Sequence, residues 1–160
     1  MVVCDHKCVH RHVIMGNVST GYIMSHDQWH HVFVYGTLQS RAQTIRSLTE
    51  SSQTEFVAHC QTINNYQMYD LGHFPGVTIG NQSEGHPVTG ELWRVTDVVR
   101  AELDVIEGYP DFYDREIIDT TAGRAWMYYL PQACRYDCRE IAQHQGVVSW
   151  LDQSLPLEPA

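Results

Sequence analysis

Glu107 is the acidic residue of this sequence whose position best suits acid/base chemistry. It follows the segment 97–106, where Val99, Leu103 and Ile106 recur at the spacing of one apolar helix face. A helix there would place Glu107 beside that face, and partial burial, the negative end of the helix dipole and neighbouring acids would each raise its pKa. A carboxyl tuned towards neutrality can act as general acid and base. A solvated helix end in an acidic surface is the alternative that position alone leaves open.

A second candidate is the turn Tyr35-Gly36-Thr37-Leu38, which follows an apolar run at 32–35 that is typical of a buried strand. The glycine permits a tight turn and the close approach of a ligand. Successive N–H groups in such a turn can bind an anion such as a carboxylate. The alternative is a simple turn that ends the strand.

The charge balance of the 160-residue chain argues against two kinds of partner. Its net charge of −9, from 10 Lys and Arg against 19 Asp and Glu, disfavours nucleic acid and anionic membranes. No apolar run approaches the ~18 residues that span a bilayer. The acids concentrate at 97–119, around Glu107. We interpret this as a negative field that keeps Glu107 protonatable and favours a cationic substrate.

Thiols and imidazoles near the two ends of the chain raise the question of a metal site. The side chains concerned are Cys4, His6, Cys8, His10, His12, Cys134 and Cys138. All are possible zinc ligands, but more than a hundred residues separate the two groups, so we expect no metal and no cofactor. An odd cysteine count, and no N-terminal signal pattern, indicate a reduced, cytoplasmic protein.

Periodicity predicts many short strands and few helices. The strands are expected at 32–35, 55–63, 66–71, 77–79, 88–95, 113–120 and 125–130, with a turn at 74–76. Helices are expected at 42–49, from an N-cap at Thr96 to about Ile106 with stops at Gly108 and Pro110, and as a short helix after 131. This pattern indicates one α+β domain built on an antiparallel sheet or small barrel.

Four motifs in order resemble the γ-glutamylcyclotransferase-like, or AIG2-like, superfamily. They are Val32-Phe33-Val34-Tyr35-Gly36-Thr37-Leu38, Phe74-Pro75-Gly76-Val77, Val88-Thr89-Gly90-Glu91-Leu92-Trp93, and Leu103-Asp104-Val105-Ile106-Glu107-Gly108 followed by Tyr113-Asp114-Arg115. The sequence Tyr-Gly-Thr-Leu is similar to that of the γ-glutamylamine cyclotransferase branch. Each motif alone is weak, and their shared order makes the resemblance specific.

The resemblance implies a small mixed or antiparallel β-barrel flanked by short helices at 31–131. Residues 1–30 and 132–160 match no motif of the family; from its composition we expect 1–30 to be a His-rich leader that is flexible or loosely packed, and 132–160 to be a C-terminal extension. It implies a metal-independent enzyme that cyclises the γ-glutamyl group of a γ-glutamyl-amine or γ-glutamyl-amino acid to 5-oxoproline and releases the amine or amino acid. Glu107 would be the acid/base, Tyr35, Gly36, Thr37 and Leu38 would bind the γ-glutamyl end, and Tyr113 would cover the cavity. A repurposed member that binds a small molecule or protein in the same cavity stays the alternative, and Glu91 is expected to be structural.

Overall fold

The computed structural model describes residues 28–39, 52–80, 83–131 and 138–151. Within these ranges the chain forms eight strands and one α-helix. In chain order they are β1 (Trp29–Val34), β2 (Thr54–Gln61), β3 (Gln67–Asp70), β4 (Pro75–Thr78), β5 (Thr89–Thr96), α1 (Asp97–Ile106), β6 (Asp114–Thr120), β7 (Gly123–Tyr129) and β8 (Arg139–Glu140). The helix predicted at 42–49 lies outside the described residues.

Five of the strands form the main sheet, in the order β2-β5-β1-β7-β6. Strand β1 pairs antiparallel with β5 and parallel with β7, so the sheet is mixed. The last residues of β1 are apolar because apolar clusters cover both faces of the strand there, Phe33 packing in one and Val32 and Val34 in the other. The remaining strands form a second sheet in the order β4-β3-β8. The α+β class that the sequence predicts is confirmed.

The two edge strands of the main sheet approach each other at one end. The residues that follow β2 pair with the end of β6 through an antiparallel bridge between Thr62 and Thr120. Two backbone hydrogen bonds flank this bridge, from the Ile63 N–H to the Asp119 carbonyl and from the Thr121 N–H to the Gln61 carbonyl, both 2.9 Å long. The main sheet therefore curls towards a barrel at this end.

Two apolar clusters lie on opposite faces of the main sheet. One contains Phe33 and Leu92 together with residues of β3 and β4, and the other contains Val32 and Trp93 together with α1. Strand β5 contributes to both clusters, so both of its faces are buried. Its alternating pattern therefore does not separate a solvent-exposed face from a buried one. Arg94 is the exposed residue of that strand.

The structure differs from the sequence expectations at two places. Strand β1 begins at Trp29, three residues early, because its first residues pair with the end of β5. The turn predicted at 74–76 ends at Phe74, because Pro75 is the first residue of β4. The first position of a strand is one that proline tolerates. The short helix expected after 131 would fall largely on 132–137, which lie outside the described residues; from 138 onwards the chain forms β8, and Ile141 and Val148 are buried in the core.

Candidate active site

A cavity of about 270 Å³ opens between the end of β1, the end of α1 and the segment before β4. All six residues that the sequence singles out as site residues line it, namely Tyr35, Gly36, Thr37, Leu38, Glu107 and Tyr113. They come from two distant stretches of the chain, 35–38 and 107–113, and the end of α1 and the segment before β6 bring the second stretch to the end of β1. The residues proposed from the sequence thus belong to one physical site.

Seven further residues line the same cavity, and sequence reasoning missed them as site residues. These residues are Phe33, Val34, Phe74, Pro75, Ile106, Phe112 and Tyr128. Phe74 and Pro75 stand in a motif that resembles the family, and Phe112 precedes Tyr113, so position in a motif is a usable signal for them. Nothing in the local sequence marks Tyr128, which reaches the cavity only through the order of the strands.

Glu107 is positioned by the way in which helix α1 ends. Thr96 caps the start of the helix, and Glu107 is its C-cap, with its N–H donating to the Leu103 carbonyl at 2.9 Å. Gly108 follows with a φ of 63°, and the Tyr109 N–H then reaches back to the Asp104 carbonyl at 2.9 Å. This is a Schellman motif, which glycine favours because it needs a left-handed residue. The backbone at Glu107 is therefore fixed on both sides.

Burial raises the pKa of the Glu107 carboxyl from its ordinary 4.5 to about 7. Of the three causes that the sequence suggests, desolvation is the one that acts. The carboxyl lies close enough to two other groups that its charge contributes to the raised pKa of the Tyr35 and Tyr113 hydroxyls, for which burial is the main cause. A carboxyl with a pKa near neutrality can both accept and return a proton at physiological pH.

The two tyrosine hydroxyls beside Glu107 are bonded to the main chain. The Tyr35 hydroxyl donates to the Tyr128 carbonyl at 2.9 Å and accepts from the Val77 N–H at 3.3 Å. The Tyr113 hydroxyl donates to the Pro75 carbonyl at 2.6 Å. These bonds join β1, β4, β6 and β7 around the cavity. Because each hydroxyl proton is used in this way, both side chains hold the walls in place.

The turn after β1 brings main-chain groups to the cavity. It is closed by a hydrogen bond from the Gln39 N–H to the Gly36 carbonyl at 3.1 Å, and the buried Gln39 amide donates to the Tyr35 carbonyl at 2.6 Å. A Cβ atom at Gly36 would lie 3.0 Å from the Pro75 ring. Glycine allows β4 to pack directly against the turn.

Asp104, three residues before Glu107, is paired with two donors. Asp104 accepts from the Arg115 guanidinium at 2.5 Å and from the Tyr128 hydroxyl at 2.6 Å. The Arg115 guanidinium also stacks over the Tyr109 ring, 4.4 Å from its centroid. This cluster ties the last turn of α1 to β6 and β7, and it confines the negative charge of Asp104 to a local ion pair.

Glu91 lies apart from the cavity lining. Its side chain is fully buried in β5 and accepts a hydrogen bond from the Trp93 indole N–H at 2.9 Å. The exposed His59 ring lies 3.7 Å from its other oxygen. These contacts are consistent with the structural role that we expected for Glu91.

Two features outside the cavity concern metals and membranes. Across the described ranges, no three His, Cys, Asp or Glu residues are grouped as metal ligands. Cys4, His6, Cys8, His10, His12 and Cys134 lie outside those ranges, and Cys138 lies in a non-helical segment just before β8. The described helix is too short to span a bilayer.

Fold and site together define a small sheet-based protein with one desolvated carboxyl, that of Glu107, in the wall of a cavity of small-molecule size. Comparison with known families gives a match over residues 32–150 to the family described as γ-glutamyl cyclotransferase, AIG2-like. The chain belongs to this family of enzymes, which act on small molecules.

Individual relatives agree with that assignment. The γ-glutamylcyclotransferase family protein YtfP of Escherichia coli K12 is 37% identical over 98 residues, covering 61% of this chain and 79% of the relative. The YtfP solution structure has a TM-score of 0.53 at 31% identity and covers 77% of this chain and 97% of that one. The crystal structure of a mouse AIG2-like protein has a TM-score of 0.57 at 22% identity, covering 63% and 76%, and it supports the fold alone.

Proposed function

We propose that the chain is a γ-glutamyl cyclotransferase that uses Glu107 as its general acid and base. The observation that carries the proposal is the Glu107 carboxyl in the cavity wall, desolvated to a pKa of about 7 and facing the same cavity as the turn 35–38. The family membership supports the reaction class. The Tyr-Gly-Thr-Leu turn supports a substrate of the γ-glutamylamine kind.

The reaction is an internal acyl transfer. The α-amine of the γ-glutamyl group attacks its own γ-carbonyl, a new C–N bond closes the five-membered ring, and the C–N bond to the leaving amine breaks. The products are 5-oxoproline and the free amine. Holding the substrate in the folded-back conformation supplies much of the acceleration, because the reaction is intramolecular.

Glu107 carries out both proton transfers of this reaction. The α-amine is mostly protonated at neutral pH, with a pKa of about 8 in peptides, so the carboxylate must take its proton. The leaving amine then receives that proton from the carboxylic acid. A carboxyl of ordinary pKa would accept the first proton poorly, and burial corrects this.

The substrate end is held by the main chain in this proposal. N–H groups of Tyr35, Gly36, Thr37 and Leu38 bind the α-carboxylate or the oxyanion that develops at the γ-carbonyl. Tyr113 closes the opposite wall, where its bond to the Pro75 carbonyl fixes the ring. No metal or cofactor has a step in this scheme.

The test is 5-oxoproline release from a panel of γ-glutamyl compounds. Glu107→Gln should lower turnover by about 10²–10⁴-fold, since that is the usual contribution of a general acid/base. Glu102→Gln is the matched control, because Glu102 is exposed on the same helix. Unchanged turnover in the Glu107 variant would refute the proposal. Binding of γ-glutamyl compounds without release of 5-oxoproline would favour a repurposed binding protein.

A further inference from the structure

Two phenylalanines stand at the entrance of the cavity on opposite loops. Phe74 lies in the turn between β3 and β4, and Phe112 lies between α1 and β6. Their ring centroids are 6.0 Å apart at an interplanar angle of 80°, and the side chains are 37% and 41% exposed. Ile106, 47% exposed, lines the same cavity. An occupant that covers these side chains removes apolar surface from water, which stabilises its binding.

The polar and apolar parts of the cavity suit different parts of a γ-glutamyl compound. The α-amine, α-carboxylate and γ-carbonyl need the peptide groups of 36–38 and the Glu107 carboxyl. The leaving amine is attached to the γ-carbonyl and extends away from these groups. The remaining walls are the apolar side chains at the entrance, so the body of the amine meets Phe74 and Phe112.

The charges around the cavity do not select a charged leaving group. Asp104 is neutralised by Arg115 and bonded to the Tyr128 hydroxyl. Glu107 is the only carboxyl among the described residues that line the cavity, and no Lys, Arg or His is among them. This changes the expectation of a cationic substrate that the acidic segment 97–119 suggested.

We infer that the leaving group is an amine with an uncharged aromatic or aliphatic body, packed against the contacting rings of Phe74 and Phe112. The inference rests on the proposed cyclotransferase function and names the substrate class of the same site. Phe74 and Phe112 are then specificity-determining residues, and Glu107 with the turn 35–38 is common to all substrates.

A matched substrate series tests this inference through kcat/KM for 5-oxoproline release. The γ-glutamyl amides of pentylamine, 1,4-diaminobutane and 4-aminobutyrate end in a methyl, an ammonium and a carboxylate group, and phenethylamine adds an aromatic body. We expect the pentyl and phenethyl amides to exceed both charged amides by about tenfold or more, because a hydrophobic pocket discriminates by roughly that factor per apolar group.

Variants of Phe74 and Phe112 test whether these two rings cause the preference for uncharged amines. Phe112→Ala and Phe74→Ala should each lower kcat/KM for the phenethyl amide by about tenfold, mainly through KM, and should lower it less for the charged amides than for the phenethyl amide. Phe56→Ala is the control, since Phe56 is 40% exposed on β2 and outside the cavity lining. Phe112→Leu, which keeps an apolar body, should recover most of the activity with the pentyl amide.

The outcomes separate the two proposals. Turnover that prefers the ammonium or the carboxylate amide, or equal losses on all four substrates in the Phe variants, would overturn the inference and leave the cyclotransferase function standing. No 5-oxoproline from any amide would overturn the proposed function itself.

Discussion

Replacing Glu107 by glutamine should stabilise the folded protein at alkaline pH while it removes the proposed chemistry. Burial raises the pKa of this carboxyl from 4.5 to about 7, so the folded state holds the proton more tightly than the unfolded chain. Between these pH values the folded state binds more protons, and the free energy of unfolding falls as the pH rises. At 1.36 kcal/mol per pKa unit, the full fall is about 3 kcal/mol.

The assay is urea unfolding of both proteins between pH 5 and pH 8. The glutamine variant has no proton to lose at this position, so its margin over the wild type should grow by about 2.5 kcal/mol across that range. Taking the difference between the proteins cancels the other titrations. Glu102→Gln, at an exposed position of α1, should show a constant margin. A constant margin for the Glu107 variant as well would refute the assignment of a buried carboxyl.

Three other measurements address the site and its support. The acidic limb of the pH profile of kcat/KM should have its midpoint near 7, because Glu107 must be ionised to accept a proton; a midpoint near 4.5 would indicate a solvated carboxyl. Arg115→Ala should lower the free energy of unfolding by about 2–3 kcal/mol, because it leaves the partly buried Asp104 without its cation. Urea unfolding measures this loss, and a loss below about 0.5 kcal/mol would contradict the prediction. Gly90→Ala should cost about 3 kcal/mol, because its Cβ would overlap the Val34 carbonyl oxygen, and a wild-type melting temperature would contradict that packing.

Local chemistry is enough to predict the helix and its functional end. Thr96 supplies a cap, the apolar spacing gives the helix face, and Gly108 supplies the left-handed residue that ends it. These signals lie within a few residues of one another, so sequence reasoning can place Glu107 at the C-cap. The same spacing puts Ile106 on the apolar face, but this residue is half exposed at the cavity, since the helix ends where the core ends.

Features that depend on distant pairing could not be predicted from the sequence. The start of β1 at Trp29 is set by its pairing with Thr96, which no local pattern shows. The approach of Phe74 to Phe112 joins two loops 38 positions apart in the chain. The substrate charge expected from the acids at 97–119 also depends on contacts that composition does not reveal, such as the guanidinium partner of Asp104.

The main-chain bonds of two tyrosines have a consequence for how this scaffold can change. The hydroxyls of Tyr35 and Tyr113 bind backbone atoms, and a backbone carbonyl is present whatever side chain occupies the partner position. The cavity frame therefore tolerates exchange of neighbouring side chains, and the entrance loops can diversify without loss of the proton-transfer apparatus. Substrate range can drift by a few loop substitutions, which makes residues 71–74 and 109–112 natural targets for directed evolution towards new amide substrates.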